Sequence, residues 1–303
     1  MRIGVIGLSP GNGHPFSFSA IVNGFDEAAF EQAGWPVILN YLKAKGPQEF
    51  GFDGVRVTHA WTQDADLTRK LCAACRIDNA VAQPADMLGQ VDAVMVLRDD
   101  AETHMPFAMP FLEAGLPVFV DKPLTLSRDE LAAFRPYLES GKLMSCAGLR
   151  FAGELDCVRD DIAAFGEIKL IRGTVLNDWS KYGIHMLDAA LDILPGRPVS
   201  VRRLKAPHDS LVVELDQGPL VAIDAIGLAP KLFSFGIYGS TKVATFDLYD
   251  NFTAFRRVLG AFIAQVRTGE PSIAPADTVS SILTIIAGLE AQPGGPAVAI
   301  QNA

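Results

Sequence analysis

Residues 117–123 read Pro-Val-Phe-Val-Asp-Lys-Pro: a short apolar β-run that ends abruptly in an acid, a lysine and a proline. Upstream, residues 91–97 (Val-Asp-Ala-Val-Met-Val-Leu) form a second buried-strand candidate, and residues 104–114 between them carry a helical pattern. Strand, helix, strand is the repeating unit of a parallel sheet, and open parallel sheets bind ligands beyond the carboxyl ends of their strands. Lys122 stands at such an end, and Pro123 fixes the backbone φ next to it and is compatible with a cis peptide bond. The lysine is either a group presented to a ligand or a surface residue in a strand-to-helix turn.

Working outward, residues 2–7 read as a first strand and residues 55–61 as a second. The gap between them holds two helical stretches, 17–33 and 35–45, and then a polar turn over 47–54. Residues 68–75 and 130–137 read as helices, 79–82 as a short apolar piece, and 143–147 as a returning strand. Together these imply a doubly wound parallel sheet with helices on both faces over residues 1–145. Beyond it a helix over 151–165 precedes strands near 167–175, 199–204, 211–215, 220–226, 233–238 and 243–246. Successive strands with few helices between them imply an open, mainly antiparallel sheet in a unit spanning 146–303. Helices over 252–267 and 277–291 close this unit, and Gln292-Pro-Gly-Gly-Pro reads as a loose breaker run.

The 303 residues, about half of them apolar, suffice for one or two packed domains. No run approaches the roughly 18 apolar residues that cross a bilayer, and residues 1–7 are too short for a signal peptide because turn residues follow at once. A formal charge of −9 argues against nucleic acid and anionic membrane surfaces as partners. A cytoplasmic enzyme acting on a small molecule is the expectation. Of the four cysteines, Cys72 and Cys75 form a Cys-x-x-Cys in a helical context with no histidine at ligand spacing. All four, with Cys146 and Cys157, are read as packing residues and no metal site is expected.

After the first strand comes Gly7-Leu8-Ser9-Pro10-Gly11-Asn12-Gly13-His14. A dinucleotide fold asks for G-x-G-x-x-G here, so that a tight turn and a helix N-terminus meet the pyrophosphate. Counted from Gly7, Ser9 and Asn12 occupy the second and third glycine places, so the strict fingerprint fails. Gly7, Gly11 and Gly13 can serve only in a loop of different shape; the other reading is a turn that binds nothing. At the end of the second strand, where an acid holds the ribose hydroxyls, the chain has Thr62, with Asp64 either as a substitute or as a helix N-cap. No arginine stands at the tip to claim a 2′-phosphate. NAD or NADP is the expected cofactor, with a slight preference for NAD.

The motifs resemble those of the Gfo/Idh/MocA family of nicotinamide-dependent sugar and polyol oxidoreductases. The resemblance is carried by residues 91–97, His104, Leu112-Glu113-Ala114-Gly115 and Asp121-Lys122-Pro123, where the family has Glu-Lys-Pro. It continues through Arg150-Phe151, Gly166-Glu167-Ile168, Gly183-Ile184-His185-Met186-Leu187-Asp188, Ile237-Tyr238-Gly239-Ser240 and residues 262–269. It implies a Rossmann-type cofactor unit, with a helical insertion near 35–54, followed by a substrate and oligomerisation unit. The implied cofactor set is Gly7, Leu8, Ser9, Gly11, Asn12, Gly13, His14, Thr62, Asp64, Asp121, Lys122 and Pro123. It further implies that Lys122 polarises the reacting oxygen and His185 exchanges its proton.

The family's aspartate four residues before that histidine is here Lys181, a cation that lowers the pKa of a neighbouring imidazole. Asp188 and Asp192 share its helical stripe, which is either a catalytic face or a solvated row of Lys-Asp pairs. Arg150, Trp179 and Tyr182 are the substrate-side candidates, with packing as the alternative for the last two. The expected activity is hydride transfer to or from a secondary alcohol. Two other readings stand: a non-catalytic nucleotide- or sugar-binding protein, and an NAD-assisted lyase or hydrolase. A homodimer or homotetramer through the C-terminal sheet is the expected assembly.

Overall fold

Six short runs make the first sheet: β1 (Arg2–Ile6), β2 (Arg56–Trp61), β3 (Asn79–Ala80), β4 (Ala93–Val96), β5 (Val118–Val120) and β6 (Leu143–Met144). In this computed structural model, which describes residues 1–301, they pair in parallel in the order β3-β2-β1-β4-β5-β6. β4 and β5 are buried at every residue, as strands covered on both faces must be. Strand order reverses between β1 and β4, and there the turns after the two strands diverge and leave a crevice.

The β1–β2 connection holds α1 (His14–Asn23), α2 (Glu27–Ala33) and α3 (Pro36–Lys43). The single helix expected over 17–33 is broken at Gly24, whose φ of +76° ends α1, and Asp26 restarts the chain by capping α2. A Cβ on Gly13 would lie 2.4 Å from Ile38 Cδ1 and 2.7 Å from Trp35 Cε3. The extra helix α3 therefore packs directly on the glycine loop. α4 (Ala65–Ala74), α5 (His104–Glu113) and α6 (Arg128–Glu139) complete the crossovers.

The second sheet follows α7 (Asp156–Asp160), a short helix among single 3-10 turns where one continuous helix over 151–165 was expected. Asp161 interrupts it and caps a separate turn through Ala164 N. The strands are β7 (Ile168–Val175), β8 (Pro198–Arg203), β9 (Asp209–Leu215), β10 (Leu220–Ala225), β11 (Phe233–Gly239) and β12 (Val243–Asp247), with α8 (Ile184–Ile193) between β7 and β8. α9 (Asn251–Thr268), α10 (Pro275–Glu290) and β13 (Val298–Ala299) end the described chain.

The sheet order is β12-β11-β7-β10-β9-β8-β13, antiparallel throughout except for the β7–β10 pair. α8 lies against one face, so closely that a Cβ on Gly173 would fall 2.6 Å from Met186 Cβ. On the other face the register aligns Val243, Tyr238, Leu170 and Leu220 in one apolar row. The tail expected to be loose is tied down: Gly294 N donates to Arg203 O, and β13 pairs with β8. No sequence pattern marked that two-residue strand.

By its internal contacts the chain forms two units. Met1–Leu124, Phe134–Ser145 and Phe255–Ser272 make the first; Thr125–Ala133, Cys146–Ala254 and the residues from 273 make the second. A single boundary at 145/146 does not describe a chain that returns to its first unit in α9. There Phe262 packs on Phe119, and Gln265 donates to the carbonyls of Gly141 and Leu143. Cys75 is buried and Cys72 half-buried, both as free thiols whose pKa burial raises, Cys72 to about 11. Cys157, read as a core residue, is exposed on α7. No helix among the described residues is long and apolar enough to cross a membrane.

Candidate functional site

The loop after β1 is held from three sides. Leu8 N donates to Gln63 Oε1 (2.8 Å), and Arg98 Nη1 donates to Leu8 O (3.0 Å) and Gln63 Oε1 (3.2 Å). Arg98 itself is fixed by Asp100 through Nε (3.0 Å) and Nη2 (2.6 Å). Ser9 Oγ donates to Asp99 Oδ1 (2.5 Å) and accepts from Asp99 N (3.0 Å), so the residue in the second glycine place points at the β4 turn.

Asp121, at the end of β5, gathers the far end of the loop. Its Oδ2 meets His14 Nδ1 (2.6 Å) and Asn12 Nδ2 (2.9 Å), and its Oδ1 accepts from Lys122 N (2.8 Å). Burial alone would raise the Asp121 pKa, but His14, Lys122 and Asn12 outweigh it and hold the carboxyl well below the usual range. The His14 ring stacks on Phe18 (5.4 Å between centroids) and meets the edge of Phe255 at 5.0 Å. Lys122 is only 4 % exposed, with its Nζ 3.9 Å from Asp99 Oδ2.

The start of α1 is largely closed as a phosphate site. Asn12 Oδ1 takes the His14 N–H (2.9 Å), Pro15 has none, and Phe16 N and Ser17 N bond Gly13 O. The tip of the loop is open. Gly11, at φ +83°, would meet nothing within 4 Å if it carried a Cβ, and among the described residues no acceptor is bonded to the N–H of Gly11 or Gly13. The Gly11 N–H and the open space before it are available to a phosphate, unlike the first turn of the helix, whereas Gly13 is buried against Trp35 and Ile38. Gly7 is required for packing, since a Cβ would lie 2.4 Å from Pro15 Cγ.

At the end of β2 the two ribose candidates are otherwise engaged. Thr62 is 3 % exposed, and its Oγ1 donates to Asp64 O (2.7 Å) and lies 2.9 Å from Thr68 Oγ1. Asp64 caps α4, accepting from Asp66 N (2.7 Å) and Leu67 N (3.0 Å). Arg69 is ion-paired with Asp66.

In the second unit a π-helical turn, Trp179–Gly183, leads into α8. His185 is buried with its ring edge-on to Tyr182 (5.3 Å) and to Phe233 (5.5 Å). Tyr182 stacks on Phe233 at 6.1 Å, giving the imidazole aromatic walls. Lys181 N donates to Asp178 Oδ1, which caps the turn.

Three sequence candidates prove structural. Trp179 is fully buried, with Nε1 donating to Ile285 O (2.9 Å), so it is a core residue and no substrate platform. Asp188 accepts from Ala147 N and Ser281 Oγ, both at 2.7 Å, and burial raises its pKa despite the nearby Arg150; these bonds tie it to two neighbouring segments instead of to the imidazole. Arg150 pairs with Asp277 (3.0 Å) and Asp192 (3.7 Å), and Asp192 also takes Arg159 (2.7 Å). The row Lys181, His185, Asp188, Asp192 is thus no solvated stripe. Gln63, Arg98, Asp99 and Phe233 escaped the sequence reading. Arg98-Asp99-Asp100, a charged triplet directly after a buried strand, was the available signal for two of them.

A family model described as an oxidoreductase family with an NAD-binding Rossmann fold matches residues 1–144. The match to the Gfo/Idh/MocA family model covers the cofactor-binding part, just under half of the chain. No curated protein matches the chain. Among solved structures, a putative myo-inositol dehydrogenase from Sinorhizobium meliloti is 16% identical with a TM-score of 0.78, covering 99% of this chain and 100% of its own. A probable dehydrogenase from Thermotoga maritima is 17% identical with a TM-score of 0.77, covering 100% of both chains. The scyllo-inositol dehydrogenase of Lactobacillus casei, solved with NAD(H) and scyllo-inositol, is 13% identical with a TM-score of 0.77 and covers 99% of each chain. At such identities the likeness speaks for the fold. Asp121 stands where the motif of the family that the sequence resembles has glutamate, and its shorter side chain is met by Asn12 and His14 from the loop.

Proposed function

We propose that the chain is an NAD(P)-dependent oxidoreductase that moves hydride to or from a secondary alcohol of a sugar, polyol or related compound. The observation that carries this reading is Lys122: a buried ammonium at the carboxyl end of β5, beside Asp99, in the same unit as a glycine loop whose exposed Gly11 has no acceptor on its N–H. A bound nicotinamide supplies the hydride acceptor or donor. Lys122 then holds the substrate oxygen and stabilises its developing negative charge. His185, among aromatic walls, exchanges the hydroxyl proton. The inositol named for several structural neighbours supports a cyclic polyol as the first substrate class to try.

The test is a panel of inositols, aldoses and their acids with NAD+ and NADP+, followed by absorbance of the reduced nicotinamide. Lys122→Met and His185→Ala are each expected to lower kcat by about 10²–10⁴-fold on any substrate found. Variants that turn over like wild type would exclude these roles. The closed start of α1 and Lys181 in place of an aspartate favour a second reading, a binder without turnover. Tight cofactor and polyol binding with no exchange of hydride would select it. We propose further that the Val243-Tyr238-Leu170-Leu220 row pairs with a second copy of the chain; a monomer by light scattering at micromolar concentration would rule this out.

A further inference from the structure

A cleft of about 550 Å³ opens in the first unit between the end of α1, the end of α3 and the turn that follows α3. None of the residues named above for cofactor or catalysis lines it. Its size falls within the range of about 300–1,000 Å³ usual for small-molecule sites. The walls are pinned by bonds of their own. Asn23 Nδ2 donates to the carbonyls of Val57 (2.8 Å) and Cys75 (3.1 Å), and its Oδ1 accepts from Val57 N (2.9 Å). Gly51 N donates to Ile21 O (2.9 Å), and Arg256 Nε of α9 donates to Glu49 O (2.6 Å). A cleft shaped before binding spares a ligand the cost of ordering it.

The lining divides by chemistry. Val22 and Leu42 are buried, and the half-buried rings of Phe25 and Phe50 lie 5.7 Å apart, which gives an apolar wall. Lys43, Lys45 and Arg76 line the same cleft against one acid, Glu27, which is already paired with Lys43. That balance is the reverse of the whole chain, whose net charge is −9. Arg76 is held at its base, because its carbonyl accepts from Asn23 Nδ2 and Arg56 Nη2, both at 3.3 Å. Its guanidinium lies over Gly24, where a Cβ would stand 3.5 Å from Nη1, and bonds no acceptor among the described residues. We propose that this cleft binds a small organic acid, with the carboxylate on Arg76 and an apolar or aromatic body on Phe25 and Phe50. A guanidinium offers a carboxylate two parallel N–H donors, and the two lysines add attraction at longer range. The proposal does not depend on the oxidoreductase reading above.

The probe is 1-naphthoate, a fluorescent aromatic carboxylate, with 1-naphthalenemethanol as its neutral counterpart, each titrated against the full chain. Naphthoate is expected to bind about tenfold more tightly than the alcohol, because a charged hydrogen-bond pair adds to the shared apolar contact. Equal affinities, or no binding of naphthoate at millimolar concentration, overturn the proposal. Arg76→Asn keeps a residue that tolerates the positive φ at this position (+53°) and is expected to weaken naphthoate about tenfold. Lys43→Glu, a charge reversal at an exposed position, is expected to weaken it by about threefold or more. Unchanged affinity in both variants puts the probe elsewhere and overturns the proposal. Saturating NADH is expected to leave naphthoate bound; displacement by NADH assigns the probe to the crevice at the strand ends and equally overturns it.

Discussion

At the scale of single residues, Asp121 joins two parts of the chain that are 107 positions apart, because one carboxylate oxygen serves both His14 and Asn12. Its folded pKa lies below the unfolded value of about 3.9, so its contribution to stability is complete above about pH 4 and is lost as pH falls through the folded value. Asp121→Asn should therefore cost about 1–3 kcal/mol at neutral pH, since buried donors lose a charged acceptor. Denaturant unfolding at a series of pH values should show the gap to wild type narrowing below about pH 4. A gap independent of pH would mean that the side chain is not held as a carboxylate. Trp179 makes a contrasting case. An indole next to a histidine-bearing helix looks like a sugar platform, yet Gly183 and Gly288 both press against its ring. Trp179→Ala should cost about 3–5 kcal/mol, read as a fall in the denaturation midpoint. An effect on substrate KM with stability unchanged would reverse that assignment.

Among the elements, α3 matters most for the site because it packs on the glycine loop. Gly13 is a glycine for lack of room: Trp35 and Ile38 of the inserted segment occupy the space of a side chain. Gly13→Ala must push the α3 segment away, at a cost of about 1–3 kcal/mol, and is expected to weaken cofactor binding because the Gly13 N–H moves with it. Gly11→Ala has space but a φ of +83°, so its penalty is strain in the loop, with no clash. Comparing the melting temperatures and NADH affinities of the two variants separates packing from conformation. If Gly13→Ala leaves both unchanged, the contact with α3 is not what shapes the loop.

For the whole molecule, the return of α9 to the first unit makes the two units interdependent in sequence. Phe18 packs on Phe255 and Phe119 on Phe262, while Gln265 satisfies the carbonyls of Gly141 and Leu143. A fragment of residues 1–145 lacks all three partners. It is expected to expose those rings, bind a hydrophobic dye and lose near-ultraviolet circular dichroism while keeping helical signal. A fragment with cooperative unfolding like that of the full chain would show that α9 is dispensable. The net charge of −9 leads to a further expectation, that the protein gives no shift of a DNA duplex at physiological salt.

What the sequence by itself determined was periodic and local. Runs such as residues 91–97 and 117–120 are apolar throughout because both faces of a central parallel strand are covered, and that pattern survives in one dimension. The position of Lys122 at a strand end followed from the same run. The parallel first sheet was legible for that reason, and the mainly antiparallel second sheet from successive strands with few helices between them; the strand order was not. Which polar groups are already spent was not legible, because hydrogen-bond partners are distant in sequence. Asp188 is used by Ala147 and Ser281, Arg150 by Asp277, and Ser9 by Asp99. A motif fixes which residue type stands at a position; only the tertiary structure decides whether its donors and acceptors are left for a ligand, since burial forces each of them to find a partner wherever the fold supplies one.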